Sequence, residues 1–519
     1  MIGRFILFIV VWTFSTNTYA EDRSVKSAAD YKALDAYIEK ALDDWDQPGL
    51  GIALVHQGDI TYQRGYGVKD RRSNAPVTED TLFGIASVSK SFAAVTIGML
   101  VADGKLDWDD PVIKHLPDFR MPLQQDTLNV TIRDLLSMRT GIASAEYGHR
   151  RASLNRSDHV RRVRYHPQLH KLRNQYMYTT DTYTIAGEIV AKVTGMPWEE
   201  YAKKVLWDPL GMNATNGDHK KARRSKNAAS PHIHQKGVKT PVKWVYEDYN
   251  ALPAGGVNST PHEYARWLIL HLNKGKYRNT QIVPAEIIKE ITTPHSPMRG
   301  QFSKDVLALV VGDGPDGITN SAYAMGWMTY DYKGYNIIRH GGGIDGFKSM
   351  VGFIPELDFG IVVFGNADEY YMPMSIFHSI VDWHLGNGLA RDWSSAFLKK
   401  AKDVRQDKEA RTAAVYAARQ TNTQPSLPLK NYVGAYQDNG AYGNMNVTLG
   451  ASGLELSSGR MRWYLNHWHH DVFKATPDWP YQMENKDQFI VFSINERGQP
   501  GRFTMTGAWT SFERQDSLN

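Results

Sequence analysis

Apolar residues at 34, 37, 38, 41, 42 and 45 (Leu34, Tyr37, Ile38, Ala41, Leu42, Trp45) form a single stripe at helical spacing, which predicts an amphipathic helix near the start of the chain. The period then shortens. Residues 51–56 and 60–66 read as two strands joined through Gln57-Gly58-Asp59, a hairpin signal. A long mixed region extends to about residue 320. Beyond it, residues 335–339, 347–354 and 359–364 have strand character, and an apolar helix is expected over about 376–385. Strands at both ends with helices between them predict an antiparallel sheet closed by the chain ends and carrying a helical insertion, not alternating βαβ units.

From 391 to 420 the chain turns to Ala, Lys, Arg and Glu, the composition of a solvated helix, and residues 421–428 read as a linker. The last ninety or so residues alternate short apolar runs, such as 445–449, 454–456, 488–492 and 502–506, with Gly, Asn and Asp turns, which predicts a small all-β barrel or sandwich. At the other end, Arg4 precedes an apolar run over 5–12, and Ala20 stands before Glu21-Asp22, the pattern of a secretory signal peptide. The run is far short of the ~20 residues of a spanning helix. The expected organisation is therefore 1–20 signal peptide, 21–390 main domain, 391–428 helix and linker, and 429–519 β-barrel, in a periplasmic or secreted protein with no stable membrane span after cleavage.

Composition narrows the chemistry. The 519 residues include no Cys, which excludes thiol nucleophiles, iron–sulfur clusters and cysteine-ligated zinc. The net charge of +5 is too small in a chain of this length to imply nucleic-acid binding.

Any nucleophile must carry oxygen or nitrogen, and one segment offers it: Phe83-Gly-Ile-Ala-Ser87-Val-Ser-Lys90-Ser-Phe92, followed by a helical pattern over 93–101 and Gly104. Ser87 and Lys90 are three residues apart, so on a helix they share a face and the lysine nitrogen can reach the hydroxyl. A serine hydroxyl is a weak nucleophile until a neighbour takes its proton, and a lysine does so only if desolvation or nearby cations lower its pKa. The helix N-terminus adds backbone N–H groups for a developing oxyanion.

S-x-x-K alone is a common pattern, but partner blocks follow in order: Thr131-Ile-Arg-Asp-Leu-Leu-Ser-Met-Arg-Thr-Gly141, Tyr178-Thr-Thr-Asp-Thr-Tyr183 with Gly187 and Val193-Thr-Gly195, Pro209-Leu-Gly-Met212, Pro253-Ala-Gly-Gly-Val-Asn-Ser-Thr260 and His340-Gly-Gly-Gly343. With these, residues 28–386 resemble the β-lactamase-related serine hydrolases, the group of class C β-lactamases, DD-peptidases, D-aminopeptidases and esterases. The resemblance implies a mixed α/β (α+β) transpeptidase-like fold, an antiparallel sheet flanked by helices with a helical subdomain. It also implies that Tyr178, at the first position of Tyr-x-Asn, shares in proton transfer. Thr180 stands at the Asn position; a hydroxyl is shorter than a carboxamide and offers one donor, which weakens any contact to a substrate amide. Tyr183 is expected to be packing.

His340-Gly341-Gly342 takes the place of Lys-Thr-Gly, in the His-x-Gly form of many peptidase and esterase relatives. A histidine is mostly neutral near pH 7, so it anchors a substrate carboxylate less firmly than lysine and is free to hydrogen-bond Tyr178 or the substrate instead. The resemblance further implies that the N–H groups of Ser87 and Gly343 form the oxyanion hole, with Gly342 and Gly343 letting the substrate approach the backbone. The tail resembles the lipocalin-like barrel appended to some relatives, where it assists assembly or substrate access, so any self-association is expected there.

Three other patterns are set aside. Residues 341–346 satisfy G-x-G-x-x-G, but strand character follows where a dinucleotide site needs a helix. His340-Gly-Gly-Gly343 also imitates the oxyanion loop of α/β-hydrolase lipases, yet no G-x-S-x-G elbow exists in the chain. His467, His469 and His470 lack a second ligand cluster, so no metal is assigned. Basic charge concentrates in two places. Arg150, Arg151, Arg156, Arg161, Arg162, Arg164, Lys171 and Arg173 face one acid, Asp158, in the first; Lys220, Lys221, Arg223, Arg224 and Lys226 form the second. A solvated face explains most such runs, but the first ends shortly before Tyr178.

The expectation is an exported, cofactor-free serine hydrolase with catalytic residues Ser87, Lys90, Tyr178 and His340. It would cleave amides of small peptides, D-residue-containing or cell-wall-derived ones included, with an anionic substrate gathered by the basic segment. Carboxylesterase and weak β-lactamase activities are the alternatives within the family, and an inactive ligand- or envelope-binding protein is the alternative outside it.

Overall fold

The computed structural model describes residues 26–144, 155–235, 238–244, 251–298, 317–344, 346–440, 442–459, 461–478, 487–508 and 510–515. The expected signal peptide, Arg150 and Arg151 lie outside them. Helix α1 (Ala28–Asp44) starts at a capping box in which Ser27 accepts from the N–H of Asp30 and the Asp30 carboxylate accepts in return. Its stripe of Leu34, Ile38, Ala41 and Leu42 is buried, as the periodicity predicts.

The hairpin follows as β1 (Gly49–His56) and β2 (Asp59–Asp70), with β3 (Ala75–Pro76) on its outer edge. Three helices that matter below come next: α2 (Lys90–Ala102), α3 (Arg156–Arg162) and α4 (Thr180–Thr194), with α5 (Pro261–Leu272) after them. The chain then returns to the sheet through β4 (Ser296–Pro297), β5 (Thr319–Tyr323), β6 (Met328–Tyr332), β7 (Tyr335–Ile344), β8 (Phe347–Ile354) and β9 (Phe359–Gly365). The strand order is β4-β5-β6-β7-β8-β9-β1-β2-β3, every neighbouring pair antiparallel, so the last main-domain strand seals onto the first.

Both faces of the sheet are covered, which is why β1, β8 and β9 read as nearly continuous apolar runs. Leu50, Ile52 and Leu54 of β1 pack with α1, α6 (Tyr371–Asp382) and the start of α7 (Trp393–Ala417). Ala53 and Val55 point the other way, into the core built on α2, α4 and α5. Helix α2 is apolar on all sides and is buried at nearly every position, as such a helix must be.

The tail is a closed eight-stranded antiparallel barrel: β10 (Gly434–Gln437), β11 (Asn444–Gly450), β12 (Gly453–Ser458), β13 (Met461–His469), β14 (Val472–Pro477), β15 (Gln488–Ile494), β16 (Pro500–Met505) and β17 (Ser511–Arg514). Its interior is packed with rings. Tyr436, Phe492 and Phe503 have centroids 5.0–5.9 Å apart, and Phe503 stacks on Phe512 at 4.8 Å. The barrel's outer surface meets α7, where Trp468 packs on Tyr416 at 4.8 Å and lies under the guanidinium of Arg419. On β13 a register shift falls between His467 and His469. His467 contacts the His470 carbonyl, and His470 contacts Gln420. Among the described residues no helix is long and apolar enough to cross a membrane.

Candidate active site

Ser87 lies on a 3₁₀ turn, Ala86–Ser89, that leads directly into α2 at Lys90. In a 3₁₀ turn residues i and i+3 eclipse, so the S-x-x-K spacing brings the two side chains together without a full α-helical turn. Lys90 Nζ lies 3.1 Å from Ser87 Oγ. Ala86, just before Ser87, holds a left-handed φ of 52°, a costly conformation for a residue with a Cβ.

The Lys90 side chain is fully buried. Its nitrogen donates to the carbonyl of Ala254, in the Pro253-Ala-Gly-Gly block, and lies 5.0 Å from the ring centre of Tyr178 and 5.6 Å from that of Tyr183. Tyr183, expected as packing, is fully buried and donates to the Leu136 carbonyl at 2.6 Å, so it forms one wall around the lysine.

His340 reaches this cluster from β7, which does not end there but continues through the three glycines to Ile344. The ring is 1% exposed and 6.3 Å from that of Tyr178. Its Nδ1 lies 2.6 Å from the Gly341 carbonyl, which can only accept, so Nδ1 carries the proton and Nε2 is an acceptor. Tyr323 supplies the donor to Nε2 at 3.3 Å. Burial, reinforced by the charge of Lys90, pushes the His340 pKa down to about 3. Burial likewise pushes the Tyr176, Tyr183 and Tyr323 phenols well above their usual pKa. Neutral rings thus surround one buried amine.

The glycines fit β7 against the Ser87 turn. A Cβ on Gly342 would lie 2.2 Å from the Ile85 carbonyl oxygen and 3.3 Å from the Ala86 Cβ. That oxygen also accepts from Ser349 Oγ at 2.9 Å. Gly343 pairs with Lys348 across β7 and β8, and Gly341 and Gly343 present their missing side chains toward Tyr370 and Lys348. Thr180 is the first residue of α4, half-buried, next to the capping Thr179 whose hydroxyl accepts from the N–H of Asp181.

Two members of this cluster escaped the motif reading. Tyr323 lies in a short segment with no periodic signal and meets His340 only because β5, β6 and β7 are neighbours. Ala254 contributes a backbone oxygen, which no side-chain pattern reports. The basic segment also changes character. Arg156 pairs with Glu199 at 2.8 Å, Arg161 with Asp158, and Arg173 with the fully buried Asp134 at 2.7 Å. Although burial alone would raise it, the Asp134 carboxyl is held below its usual range by Arg173, the Thr131 N–H and Arg139. Much of this charge is therefore structural. The second run is a solvated surface: Lys220, Lys221, Arg223, Arg224 and Lys226 are all exposed.

The family model described as Beta-lactamase matches residues 34–374, well over half of the chain. The chain belongs to the Beta-lactamase family. It is a β-lactamase-fold hydrolase with an added barrel, and a domain of unknown function (DUF3471) matches that second part, residues 418–518. An unguisins hydrolase, ungD', of Aspergillus campestris (strain IBT 28561) is 31% identical over 429 residues, which span 77% of this chain and 74% of the relative. Protein flp of Staphylococcus aureus (strain MRSA252) is 26% identical over 66% of this chain and 64% of its own length. Among solved structures, the octameric penicillin-binding protein homologue from Pyrococcus abyssi superposes with a TM-score of 0.61 at 22% identity, over 93% of this chain and 99% of that one. A D-stereospecific amidohydrolase from Streptomyces sp. does so with a TM-score of 0.51 at 21% identity, over 65% and 94%. These two likenesses concern the fold.

Proposed function

We infer that the chain is an exported serine hydrolase that cleaves amide bonds of small peptides through an acyl-enzyme. The observation that carries the reading is the 3.1 Å contact between Lys90 Nζ and Ser87 Oγ inside a buried shell of rings. Ser87 attacks the substrate carbonyl, and Lys90 acts as the base that takes its proton. Tyr178, whose ring adjoins that amine, carries the proton on to the leaving nitrogen, and the C–N bond breaks. Water then attacks the ester, the proton path runs in reverse and the acid departs. The N–H groups of Ser87 and Gly343 receive the oxyanion in both steps. His340, neutral and engaged by Tyr323, fixes the cluster from the sheet side.

The choice of amides, D-residue peptides among them, rests on the activity named for the D-stereospecific amidohydrolase and on the hydrolase name of the fungal relative; ester cleavage and weak β-lactam turnover follow from the same machinery. Incubation with a serine-reactive phosphonate, followed by peptide mass mapping, tests the reading. A single adduct on Ser87, absent in Ser87→Ala, is expected, together with hydrolysis of peptide amides. An unlabelled Ser87, or a Ser87→Ala variant with full turnover, would refute it. Export is tested by N-terminal sequencing of the secreted chain, which is expected to begin at Glu21.

A further inference from the structure

Where the barrel meets the main domain, the two enclose a cavity of about 260 Å³. Arg164, Tyr165 and His166 line one side, and Asn439, Tyr442 and Thr510 the other. The walls are held in contact: Asn439 Nδ2 donates to the Tyr165 carbonyl at 3.4 Å, and the Tyr165 ring fills the space where a side chain on Gly440 would stand. The cavity carries positive charge from the basic segment. Arg164 gives one nitrogen to the Asp118 carbonyl at 2.9 Å, but its Nε is buried and meets no acceptor among the described residues. Arg162, on the neighbouring turn and packed against Gly443, has a buried Nη1 in the same condition. The barrel-side acid, Asp438, is turned into its own loop and accepts from the N–H groups of Gly440, Tyr442 and Gly443.

Buried cationic donors without acceptors are unfavourable, and a carboxylate matches a guanidinium in both charge and geometry. The volume lies just below the ~300–1,000 Å³ of pockets for drug-sized ligands, which suits one or two amino-acid residues. One wall continues toward the helix that follows Tyr178: His166 Nδ1 lies 3.8 Å from the carboxylate of Asp181, in the first turn of α4. We propose that this junction binds the carboxylate of a small peptide acid, gripped by Arg164 and enclosed by Tyr165 and the barrel loop. The grip stands on the cavity alone; that the carboxylate belongs to a substrate seated at Ser87 is the form that rests on the acyl-enzyme reading.

The test is calorimetric titration of the full chain carrying Ser87→Ala with N-acetylalanylalanine and with its C-terminal amide. The acid is expected to bind at least tenfold more tightly than the amide. Arg164→Gln should remove that preference, and Asn439→Trp, at an exposed position, should fill the cavity and abolish acid binding even if the arginine variant fails to fold. Equal affinity for acid and amide, or acid binding untouched by both substitutions, overturns the proposal. Repeating the titration on wild-type protein blocked at Ser87 by the phosphonate separates the sources. Retained binding assigns the cavity to free acids, and binding lost only on blocking assigns it to the tail of a ligand at Ser87. If Ser87 takes no label, the acyl-enzyme reading fails while the titration still decides the cavity.

Discussion

An alanine scan of Gly341, Gly342 and Gly343 tests whether β7 is fitted to the Ser87 turn. None of the three has a left-handed φ, so alanine fits each backbone and only space decides. At Gly341 the new methyl meets the ends of Tyr370 and Met350 at 3.0 and 3.2 Å, and at Gly343 the aliphatic stem of Lys348 at 3.4 Å; flexible tips yield to it. At Gly342 it meets the Ile85 carbonyl oxygen at 2.2 Å. Ile85 is pinned on both sides, its N–H on Val257 and its oxygen under Ser349, so β7 must retreat. Restoring ordinary contact requires a shift of about 1.2 Å, and displacement near 1 Å costs roughly 10²-fold in rate; overpacking adds about 1–3 kcal/mol of destabilisation. The assay is the second-order rate of Ser87 labelling by the phosphonate, alongside thermal unfolding. Gly342→Ala is expected to label about 10²-fold more slowly, with the flanking variants within about threefold of wild type. Comparable rates for all three would show that the Ser87 turn does not depend on this packing.

Other outcomes follow from the same geometry. Lys90→Met, which keeps the length and removes the base, should slow Ser87 acylation by roughly 10²–10⁴, read by stopped-flow or quench labelling; unchanged rates would remove Lys90 from the proton path. Thr180→Asn should raise acylation by β-lactams relative to esters by up to about tenfold, the worth of one good hydrogen bond. Unaltered selectivity would mean that the first residue of α4 does not face the substrate. Burial holds the imidazole pKa down to about 4 in His219, His232 and His271 and about 3 in His340 and His378. The unfolded chain takes up those protons near pH 6.5. Stability is therefore complete above about pH 6.5 and falls as pH drops toward the folded-state values, by about 1.4 kcal/mol per pH unit for each histidine. A denaturant midpoint equal at pH 7 and pH 5 would contradict this.

The parts legible in the sequence were those whose signal survives without knowledge of tertiary neighbours. The stripe from Leu34 to Trp45 and the apolar runs of β8 and β9 report burial directly, and Ser87 and Lys90 keep their partnership in a 3₁₀ or an α turn. Tyr323 was not legible, because its meeting with His340 depends on strand order and not on spacing. The same holds for the basic segment: Glu199 and Asp134, which neutralise Arg156 and Arg173, are distant in sequence, so a local charge count overstates the exposed field. The register shift on β13 between His467 and His469 was illegible for a third reason, since a bulge depends on how two strands pair and not on the spacing within one.

The way the sheet is sealed governs how the chain must be made. Leu54 of β1 lies opposite Ile361 of β9, about 300 residues later, which gives the fold a high contact order and predicts slow folding. At roughly 5–20 residues per second, β1 waits on the order of 15–60 s during synthesis for its partner. All through that interval Leu50 to Val55, fully buried in the finished molecule, form an apolar edge open to pairing with other chains. Ser87, Lys90, Tyr178 and His340 have all been synthesised before β9 exists, so a nascent chain carries all four residues proposed for catalysis before it has the sheet that assembles them.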